Sequence, residues 1–507
     1  MLVKIHGAAL LGIDATPVTI EVNIDKGIGY HLVGLPDNTI KESNIRIGAA
    51  IGNNGYKLPG KKITINLSPA DLRKEGSAYD LSICIGILAA SQQLESDLLD
   101  KYYIMGELSL DGTLLSISGA LSIALKAKEL GYKGIILPLC NAKEASLVDL
   151  EVFGAKNLQE VIDFLEGKIS APKSTPLNYL NIQNYPSDFA LDFSDVKGQV
   201  AVKRALEVAA SGGHNALLIG PPGSGKTMLA KRIPGILPSL STQEILETTK
   251  IHSVSGKLSN MGVVVQRPFR APHHTISDVA LVGGGSYPKP GEISLAHNGV
   301  LFLDELPEFK RAVLEVLRQP LEEREVTLSR AKFTLTYPAS FMLIASMNPS
   351  PSGYFLHDEK NTSSPLEVER YIAKLSGPLL DRIDLHIEVN PVPFENLNQK
   401  NTAETSQSIR ERVQKARDIQ WERYKDIDFV HNNAQLTPKL MDKYCSLNAE
   451  SQKLLKSVVE KLGLSARAYD RILKVSRTIA DMNEHMEIET LDLAEAIGYR
   501  SLDRKQG

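Results

Sequence analysis

The sequence predicts a multidomain α/β protein with three structured regions and one linker. Residues 1–168 mix alternating strand patterns with helical stretches and turn signals, which indicates an α+β domain. In residues 189–392 short apolar segments alternate with helices, as in a parallel α/β sheet. Residues 393–507 are mainly helical in periodicity, whereas residues 169–188 are rich in Pro, Ser, Asn and Tyr without a period. We therefore expect a linker over 169–188 and a small helical domain after residue 392.

The individual elements follow from the spacing of apolar residues. Alternation predicts amino-terminal strands over 18–24 and 63–67, and helical spacing predicts helices over 39–53 and 121–130. Short apolar runs predict the central strands over 216–219, 300–303 and 341–345. The predicted carboxy-terminal helices cover 406–424, 449–462 and 466–483.

Composition narrows the class of protein. The chain has 507 residues, too many for one hydrophobic core, and its 43% hydrophobic and 23% charged residues are typical of a soluble globular protein. Its three cysteines, Cys84, Cys140 and Cys445, lie far apart, which argues against a disulfide framework.

We find no signal peptide and no apolar run of membrane-spanning length, so we expect a cytoplasmic protein without a membrane anchor. With a formal net charge of −3, any contact with nucleic acid must come from a local basic patch or a pore.

A glycine-rich loop follows the first central strand. Its glycines let successive backbone N–H groups wrap around phosphate oxygens at a helix start. Lys226 is placed to reach the β- and γ-phosphates, and the Thr227 hydroxyl to bind Mg²⁺. The alternative is a Gly/Pro turn before a surface helix, which the strand–loop–helix context disfavours. The predicted nucleotide-binding residues of the loop are Gly220, Pro221, Pro222, Gly223, Ser224, Gly225, Lys226 and Thr227.

Polar residues also follow the other two central strands. Asp304 is predicted to hold Mg²⁺ together with Thr227, and Glu305 to orient and deprotonate the attacking water. Asn348 is predicted to position that water near the γ-phosphate. Taken singly, the acids would be interpreted as solvated and Asn348 as a turn former. Their order after the loop favours a catalytic role.

Two arginines are candidates for stabilising charge in the transition state. Arg382, after a Gly-Pro pair, is predicted to act as an arginine finger, with a surface ion pair to Asp381 or Asp384 as the alternative. Arg467 is predicted to contact the γ-phosphate from the helical domain, although an ordinary helix-surface role is the alternative. Arg471 and Arg477 share its helix and leave the choice of residue open.

The ordered motifs GPPGSGKT, RPFRAPHHT, GVLFLDE, ASMN, SGPLLDRID and LSARAYDRILKVSRTIAD resemble those of magnesium-chelatase-like AAA+ ATPases, and more narrowly the ComM/YifB family. The resemblance extends over essentially the whole chain. It implies a central AAA+ core over 189–392, a helical lid over 393–507, and a homo-hexameric ring that binds ATP and Mg²⁺ between subunits, with Arg382 acting in trans. It also implies a pore loop at 283–289. Arg330 and Lys332, on a predicted hairpin over 326–337, are either DNA contacts or solvated charges.

The same resemblance implies a function. It points to ATP hydrolysis that remodels single-stranded or branched DNA, as a helicase or branch-migration motor in recombination and natural transformation (competence). The alternative is the ATPase motor subunit of a magnesium chelatase, although such subunits generally lack an amino-terminal domain like this one. An ATP-dependent peptidase is a third, weaker alternative.

The amino-terminal region 1–168 resembles the Lon-protease-like (ribosomal S5 domain 2-like) fold through residues 74–80 and 106–112. Peptidases of that fold use a Ser–Lys dyad, but the nucleophile's position falls at Ala78 here. Ser77 with Lys74 is only a shifted substitute pair, so we expect no peptidase activity.

One departure from the family pattern concerns metal binding. Many relatives carry closely spaced cysteines after Asn-Pro and again downstream, which look like a zinc site. The matching stretches here contain Ser350 and Ser352, and then 361–364 without cysteine. Because serine hydroxyls are poor zinc ligands, we expect no zinc and a loop that is either ordered by other contacts or mobile.

Overall fold

The computed structural model describes residues 1–170, 190–258, 262–285, 288–330, 333–393, 403–427, 430–500 and 502, with backbone alone at 330 and 333. The chain divides into two compact units. One comprises Met1–Tyr185 with Ser241–Val265, and the other comprises Pro186–Leu240 with Gln266–Gly507. Ser241–Val265 therefore groups with the amino-terminal unit, whereas the sequence pattern places it within the central domain. The division at 168, 188 and 392 stays a prediction, and most of the expected linker lies outside the described residues.

Strands and helices alternate along much of the chain. The strands are β1 Leu2–Leu11, β2 Asp14–Asp25, β3 Gly29–Val33, β4 Lys62–Ser68, β5 Tyr102–Ile104, β6 Glu107–Leu108, β7 Leu114–Leu115, β8 Gly134–Pro138, β9 Glu151–Ala155, β10 Ala216–Ile219, β11 Phe269–Arg270, β12 Gly283–Gly284, β13 Lys289–Pro290, β14 Val300–Leu303, β15 Glu325–Arg330, β16 Phe333–Pro338, β17 Met342–Met347 and β18 Leu385–Glu388. The α-helices are α1 Asn38–Asn53, α2 Asp80–Ala90, α3 Ala120–Glu129, α4 Leu139–Ala145, α5 Leu158–Leu165, α6 Val200–Gly212, α7 Lys226–Ala230, α8 Thr242–Val254, α9 Asp278–Val282, α10 Glu292–Leu295, α11 Arg311–Glu315, α12 Arg318–Glu323, α13 Pro365–Ile372, α14 Gly377–Leu380, α15 Ser406–Tyr424, α16 Pro438–Tyr444, α17 Ala449–Leu462, α18 Ala466–Met482 and α19 Thr490–Gly498.

A mixed seven-stranded sheet forms the centre of the amino-terminal unit, in the order β3-β4-β2-β1-β5-β8-β9. Strand β2 alternates buried residues such as Val18, Ile20 and Val22 with more exposed ones, as expected for a strand with one face on the core. Helix α2 packs against β1 and β2 and is buried along its whole length, because it is apolar on nearly all sides. This arrangement confirms the predicted mixture of strands and helices.

Helix α8 is held in the amino-terminal unit by polar contacts. The Ser253 hydroxyl donates to the buried Glu144 carboxylate, whose pKa is raised by burial. The Gly119 N–H donates to the Ser253 carbonyl at 3.2 Å, and Lys250 pairs with Asp14 at 2.5 Å. These contacts explain why Ser241–Val265 belongs to the amino-terminal unit. Its position in the sequence, between β10 and β14, did not reveal this.

The second unit contains a five-stranded, all-parallel sheet in the order β11-β14-β17-β10-β18. Two of its strands have the bounds we predicted, and the third begins one residue later and continues to Met347. Strand β10 lies between β17 and β18, where the order of strands reverses along the chain. Open parallel sheets bind ligands at the carboxyl ends of the strands flanking such a reversal.

The carboxy-terminal helices α15 and α18 pack on α6 and on each other, and a buried polar network connects them to the segment that leads into β10. Asp481, on α18, accepts hydrogen bonds from Arg423 at 2.8 Å, from Arg477 at 3.1 Å and from Asn433 at 2.8 Å. Asn433 also donates to Thr478, whose hydroxyl lies 2.7 Å from His214 of the segment leading into β10. One carboxylate thus neutralises two arginines in the interior. In the described ranges, no helix is both long and apolar enough to cross a lipid bilayer.

We expect Asp481→Ala to destabilise the second unit by about 3–5 kcal/mol, because it leaves two arginines without their anion in a buried site. Denaturation followed through Trp421, the only tryptophan of the sequence and a residue of α15, measures the change. The control is Glu460→Ala, which breaks an exposed 3.9 Å pair with Lys456 and should cost less than about 0.5 kcal/mol. Equal midpoints for the two variants would contradict this account of the network.

Candidate functional site

The loop after β10 is shaped to surround an anion. Gly223 and Gly225 have φ of +77° and +92°, a left-handed conformation that residues with a Cβ rarely adopt. A Cβ on Gly220 would approach the Val389 carbonyl oxygen to 2.2 Å, so only glycine fits there. The buried Ser224 hydroxyl has no hydrogen-bond partner among the described residues. Helix α7 begins at Lys226, directly after the loop, and directs its first N–H groups toward it.

The Lys226 ammonium is held by oxygen atoms at the mouth of the loop. It donates to the carbonyls of Gly220 at 2.7 Å and Pro221 at 3.0 Å, and to Asn348 Oδ1 at 3.2 Å. Burial lowers the pKa of Lys226, while Asp304 and Glu305 act in the opposite direction. The amine therefore lies among acceptors that a phosphate group can replace.

Thr227 and Asp304 bring two oxygen ligands together. Thr227 Oγ1 donates to Asp304 Oδ2 at 2.7 Å, and the other carboxylate oxygen accepts from Ser346 Oγ. A hydroxyl beside a carboxylate is the protein donor set that suits Mg²⁺ bound to a nucleotide. The residues present thus fit the expected metal.

Glu305 follows Asp304 in a left-handed conformation, with φ of +55°, that is uncommon for a non-glycine residue. Its N–H donates to Ser346 Oγ at 3.2 Å, and its side chain is 59% exposed. The carboxylate faces a cleft of about 660 Å³ that it shares with Asn348, Tyr371 and His274, the last 4.0 Å from it. Burial raises the pKa of Tyr371 to about 12, so this phenol stays protonated. Glu305 therefore has access to water beside the predicted phosphate position.

Arg382 and Arg467 lie at the other edge of the sheet. Strands β10 and β18 are parallel, with Ala216 opposite Leu385 and Ile219 opposite Glu388. Arg382 precedes β18, so the length of the strand, roughly 13 Å, separates its level from the loop that follows β10. Arg467 pairs with the neighbouring Asp381 at 3.4 Å. The structure therefore does not bring either arginine to the loop of its own chain.

The Arg382 side chain is buried, with only 5% of the residue exposed. It donates to the Pro378 carbonyl and to the half-exposed Glu322, and its Nε has no partner among the described residues. Nearby, Arg471 pairs with the buried Asp384 at 3.1 Å. Burial alone would raise the pKa of Asp384, but Arg471, His214 and the Asn215 N–H outweigh it and lower that pKa. Asp381 and Asp384, the ion-pair partners considered for Arg382, are therefore paired with Arg467 and Arg471 instead.

Comparison with known proteins connects this geometry with a family. The family model described as magnesium chelatase, subunit ChlI, matches residues 192–397, and the models for the ChlI subunit and its carboxy-terminal part match residues 20–141 and 403–500. The chain is 47% identical to competence protein ComM of Haemophilus influenzae over 503 residues, which cover 99% of this chain and 97% of that protein. The chain belongs to the magnesium-chelatase-like ComM/YifB family.

Other relatives are consistent with this assignment. YifB of Escherichia coli is 47% identical over 99% of this chain and 97% of its own length. The 38 kDa magnesium-chelatase subunit of Acidiphilium rubrum matches only 31% of the chain at 25% identity, and an archaeal Lon protease of Methanocaldococcus jannaschii matches 31% at 27% identity. The mixed α/β architecture with a parallel sheet is that of the AAA+ ATPases to which this family belongs.

In this member of the family, the loop after Asn348 is ordered by hydrogen bonds. Ser352 Oγ donates to Asn361 Oδ1 at 2.7 Å and lies 2.9 Å from Ser350 Oγ, and Ser363 Oγ accepts from the Ser352 N–H at 3.0 Å. Gly353 of this loop packs on Pro222 of the phosphate loop. The described residues contain no cluster of His, Cys, Asp or Glu suited to a metal. The absence of zinc stays a prediction, but the contacts that order the loop are evident.

The substitute peptidase dyad does not form. The Ser77 hydroxyl donates to Glu107, and the buried Lys74 ammonium donates to the Pro69 carbonyl. Neither side chain is thus engaged with the other, as a Ser–Lys nucleophile pair would require.

Parts of the predicted DNA-contacting loops lie outside the described residues. Strands β12 and β13 form a short hairpin at the expected pore loop, but residues 286 and 287 between them are not described. Strands β15 and β16 form the predicted hairpin, while Lys332 and the side chain of Arg330 lie outside the description. These assignments stay predictions.

Sequence reasoning missed Ser346, His274 and Glu322. Ser346 touches both Asp304 and Glu305, and its position two residues before Asn348, on the same face of β17, was a usable signal. His274 and Glu322 reach their partners from distant parts of the chain. No local pattern in the sequence marks either contact.

The site geometry predicts separable effects of two substitutions. Lys226→Ala should weaken MgATP binding at least tenfold, because it removes the cation among the loop carbonyls. Glu305→Gln should keep that affinity and lower turnover on the order of 10²–10⁴-fold, the usual contribution of a general base. Titration calorimetry and phosphate release measure the two effects. Lys231→Ala, which removes an exposed charge five residues further on, is the control and should change neither.

Proposed function

We propose that the chain is an ATPase that hydrolyses MgATP at the carboxyl edge of its five-stranded sheet. Two neighbouring hydrogen bonds carry this proposal. Thr227 Oγ1 donates to Asp304 Oδ2 at 2.7 Å, and Lys226 Nζ donates to Asn348 Oδ1 at 3.2 Å. These four side chains follow three neighbouring parallel strands. They supply the cation, the metal ligands and the polar amide that phosphoryl transfer to water requires.

In this mechanism the loop N–H groups hold the triphosphate, and Lys226 exchanges its carbonyl acceptors for phosphate oxygens. Glu305 accepts a proton from the attacking water at its exposed carboxylate, and Asn348 orients that water through its amide. Ser346 fixes Asp304 and the Glu305 backbone in place. Mg²⁺, when bound by Thr227 and Asp304, neutralises developing charge on the phosphates.

We further propose that the active form is a ring, expected to be a homo-hexamer, in which Arg382 acts on the neighbouring subunit's nucleotide. Its position at the opposite edge of the sheet supports action in trans, since one chain holds the loop and the arginine apart. Arg467, beside Asp381 at the same edge, would act on the same neighbouring nucleotide. The Arg382 Nε is buried and has no partner among the described residues, so the guanidinium would have to turn outward to reach a neighbour's phosphate oxygen.

Arg382→Ala should leave MgATP affinity near normal and lower turnover on the order of 10³-fold or more, as for arginine fingers elsewhere. Mixing it with Glu305→Gln subunits should restore part of the activity, because some interfaces then combine an intact Arg382 with an intact Glu305. Phosphate release across mixing ratios measures this. The control mixes Arg382→Ala with a chain carrying both substitutions, which offers no complete interface. Absence of rescue at every ratio would argue against action in trans.

We propose that hydrolysis drives remodelling of branched or single-stranded DNA, as in branch migration during recombination and the uptake of DNA in natural transformation. Similarity to a competence protein over 99% of the chain supports this proposal. The alternative is a motor for a magnesium chelatase, which the ChlI family models favour. Against it, the 38 kDa chelatase subunit matches only 31% of the chain.

The DNA proposal predicts that forked duplex DNA stimulates ATP hydrolysis by at least about threefold and that the protein separates or migrates the branch only with hydrolysable ATP. Strand-displacement gels with wild type and Glu305→Gln measure this. If DNA does not change the rate of ATP hydrolysis and the fork stays intact, the DNA proposal is wrong, whereas the proposed ATPase activity is unaffected.

A further inference from the structure

Several lysines on the amino-terminal unit have an acidic partner close by. The pairs occur on both strands and helices, at N···O separations from 2.5 to 3.8 Å. They are Lys4–Glu21, Lys126–Glu129, Lys128–Asp149, Lys133–Glu151, Lys168–Glu166 and Lys250–Asp14. At these positions the positive charge is balanced locally.

One end of the seven-stranded sheet carries four lysines without such a partner among the described residues. The turn from β2 to β3 contains Lys26, and the approach to β4 contains Lys57, Lys61 and Lys62. All four lysines are exposed, and within the described part of the chain none forms an ion pair. Asp25 is the acid beside them, and it accepts a hydrogen bond from Asn23 at 2.5 Å. We call this set of four lysines with its turn, residues 25–29 and 57–62, the lysine tip.

The strand register brings the lysine tip together. Lys62 lies opposite Asp25 in the antiparallel β2–β4 pair and opposite Gly29 in the parallel β3–β4 pair. A Cβ on Gly27 would lie 3.6 Å from the Lys62 Cβ, so the turn folds over β4. Neighbouring strands are about 4.8 Å apart. The register therefore brings Lys26 and Lys62 to the same end of the sheet, and Lys61 and Lys57 precede Lys62 by one and five residues.

An apolar side chain caps the lysine tip. Ile28, at its turn, is 92% exposed, and Leu58 is 48% exposed. Gly27 and Gly29, with φ of +119° and +150°, flank Ile28 and hold the turn tight. Stable binding to a bilayer requires a larger apolar face than one exposed isoleucine among lysines provides. It is large enough to contact a sugar or a base.

We propose that the lysine tip binds the phosphate backbone of nucleic acid, with Ile28 in contact with a sugar or base. The inference rests on the proposed action on DNA and assigns to the amino-terminal unit a part of that contact. Phosphates follow one another every ~3.4 Å along the axis of each strand of DNA, so several are within reach of four long side chains. A chain of net charge −3 has no general attraction for DNA, and the unbalanced charge of the tip supplies a local one.

The test compares two full-length variants with the same change in charge. One carries Lys→Gln at residues 26, 57, 61 and 62, and the control carries Lys→Gln at residues 126, 128, 133 and 168, all of them ion-paired. Fluorescence anisotropy of a labelled forked duplex is measured across a range of salt concentrations. The tip variant should bind the fork at least about tenfold more weakly than wild type. The slope of its log affinity against log salt concentration should be smaller in magnitude by about 3 to 4. The control should match wild type.

Two more measurements keep the outcomes distinct. Replacing the same four lysines by arginine should preserve binding and its salt dependence, which guards against loss through misfolding. Ile28→Ser should weaken binding severalfold without changing the salt slope, because it removes no charge. Basal ATP hydrolysis, which uses the other unit, should be unchanged in every variant.

Equal affinity and salt slope in the tip variant and its control would overturn the inference while leaving the proposed function intact. Failure of wild type to bind the fork would overturn both. If the tip variant keeps its DNA binding but loses binding to phosphatidylserine vesicles, the tip binds a membrane surface. That result would also overturn the inference.

Discussion

The level at which three parallel strands end is the constraint on which the site depends. Ile219 of β10 lies opposite Met347 of β17, and Leu303 of β14 lies opposite Ala345. The middle strand β17 therefore continues past the end of β14, which places Ser346 beside Asp304. From the other side, helix α7 presents Thr227 to the same carboxylate. Backbone hydrogen bonds between strands thus fix the distances between the side chains to which we assign the proposed chemistry.

The same parallel register separates the phosphate loop from Arg382 and Arg467, the two arginines that we propose to act in trans. Lys226, Thr227, Asp304 and Asn348 lie at the carboxyl edge of the sheet. Arg382 lies at the amino edge, where it precedes β18, and Arg467 lies beside it, paired with Asp381. A single chain cannot close this gap without breaking its sheet. The Arg382 guanidinium is buried against Glu322 and the Pro378 carbonyl, at the edge of the sheet opposite the phosphate loop of its own chain. In the proposed ring, the arginines of one chain would instead serve the loop of its neighbour.

Polar contacts between side chains order two places in the second unit. Ser350, Ser352, Asn361 and Ser363 form the hydrogen-bonded cluster that orders the loop beside Pro222. In the second unit, Asp481 neutralises Arg423 and Arg477 between the helices and the sheet. Each cluster is mutually satisfied, which is the condition under which buried polar groups specify one arrangement.

The sequence by itself determined the phosphate loop, the acidic strand end and three of the five strands of the parallel sheet, because each depends on neighbours within a few residues. Strands over 216–219 and 300–303 were predicted with their observed bounds for this reason. It also determined the family, through motifs that occur in a fixed order.

Tertiary structure alone decided which distant groups meet. The placement of α8 in the amino-terminal unit depends on the Ser253–Glu144 contact, and the partners of Arg382 and Glu305 come from segments far away in sequence. The convergence of Lys26 with Lys62 likewise required the register of β2 and β4. Periodicity records which face of an element is buried but not what covers it, so these contacts are set by packing and become visible only in the folded chain.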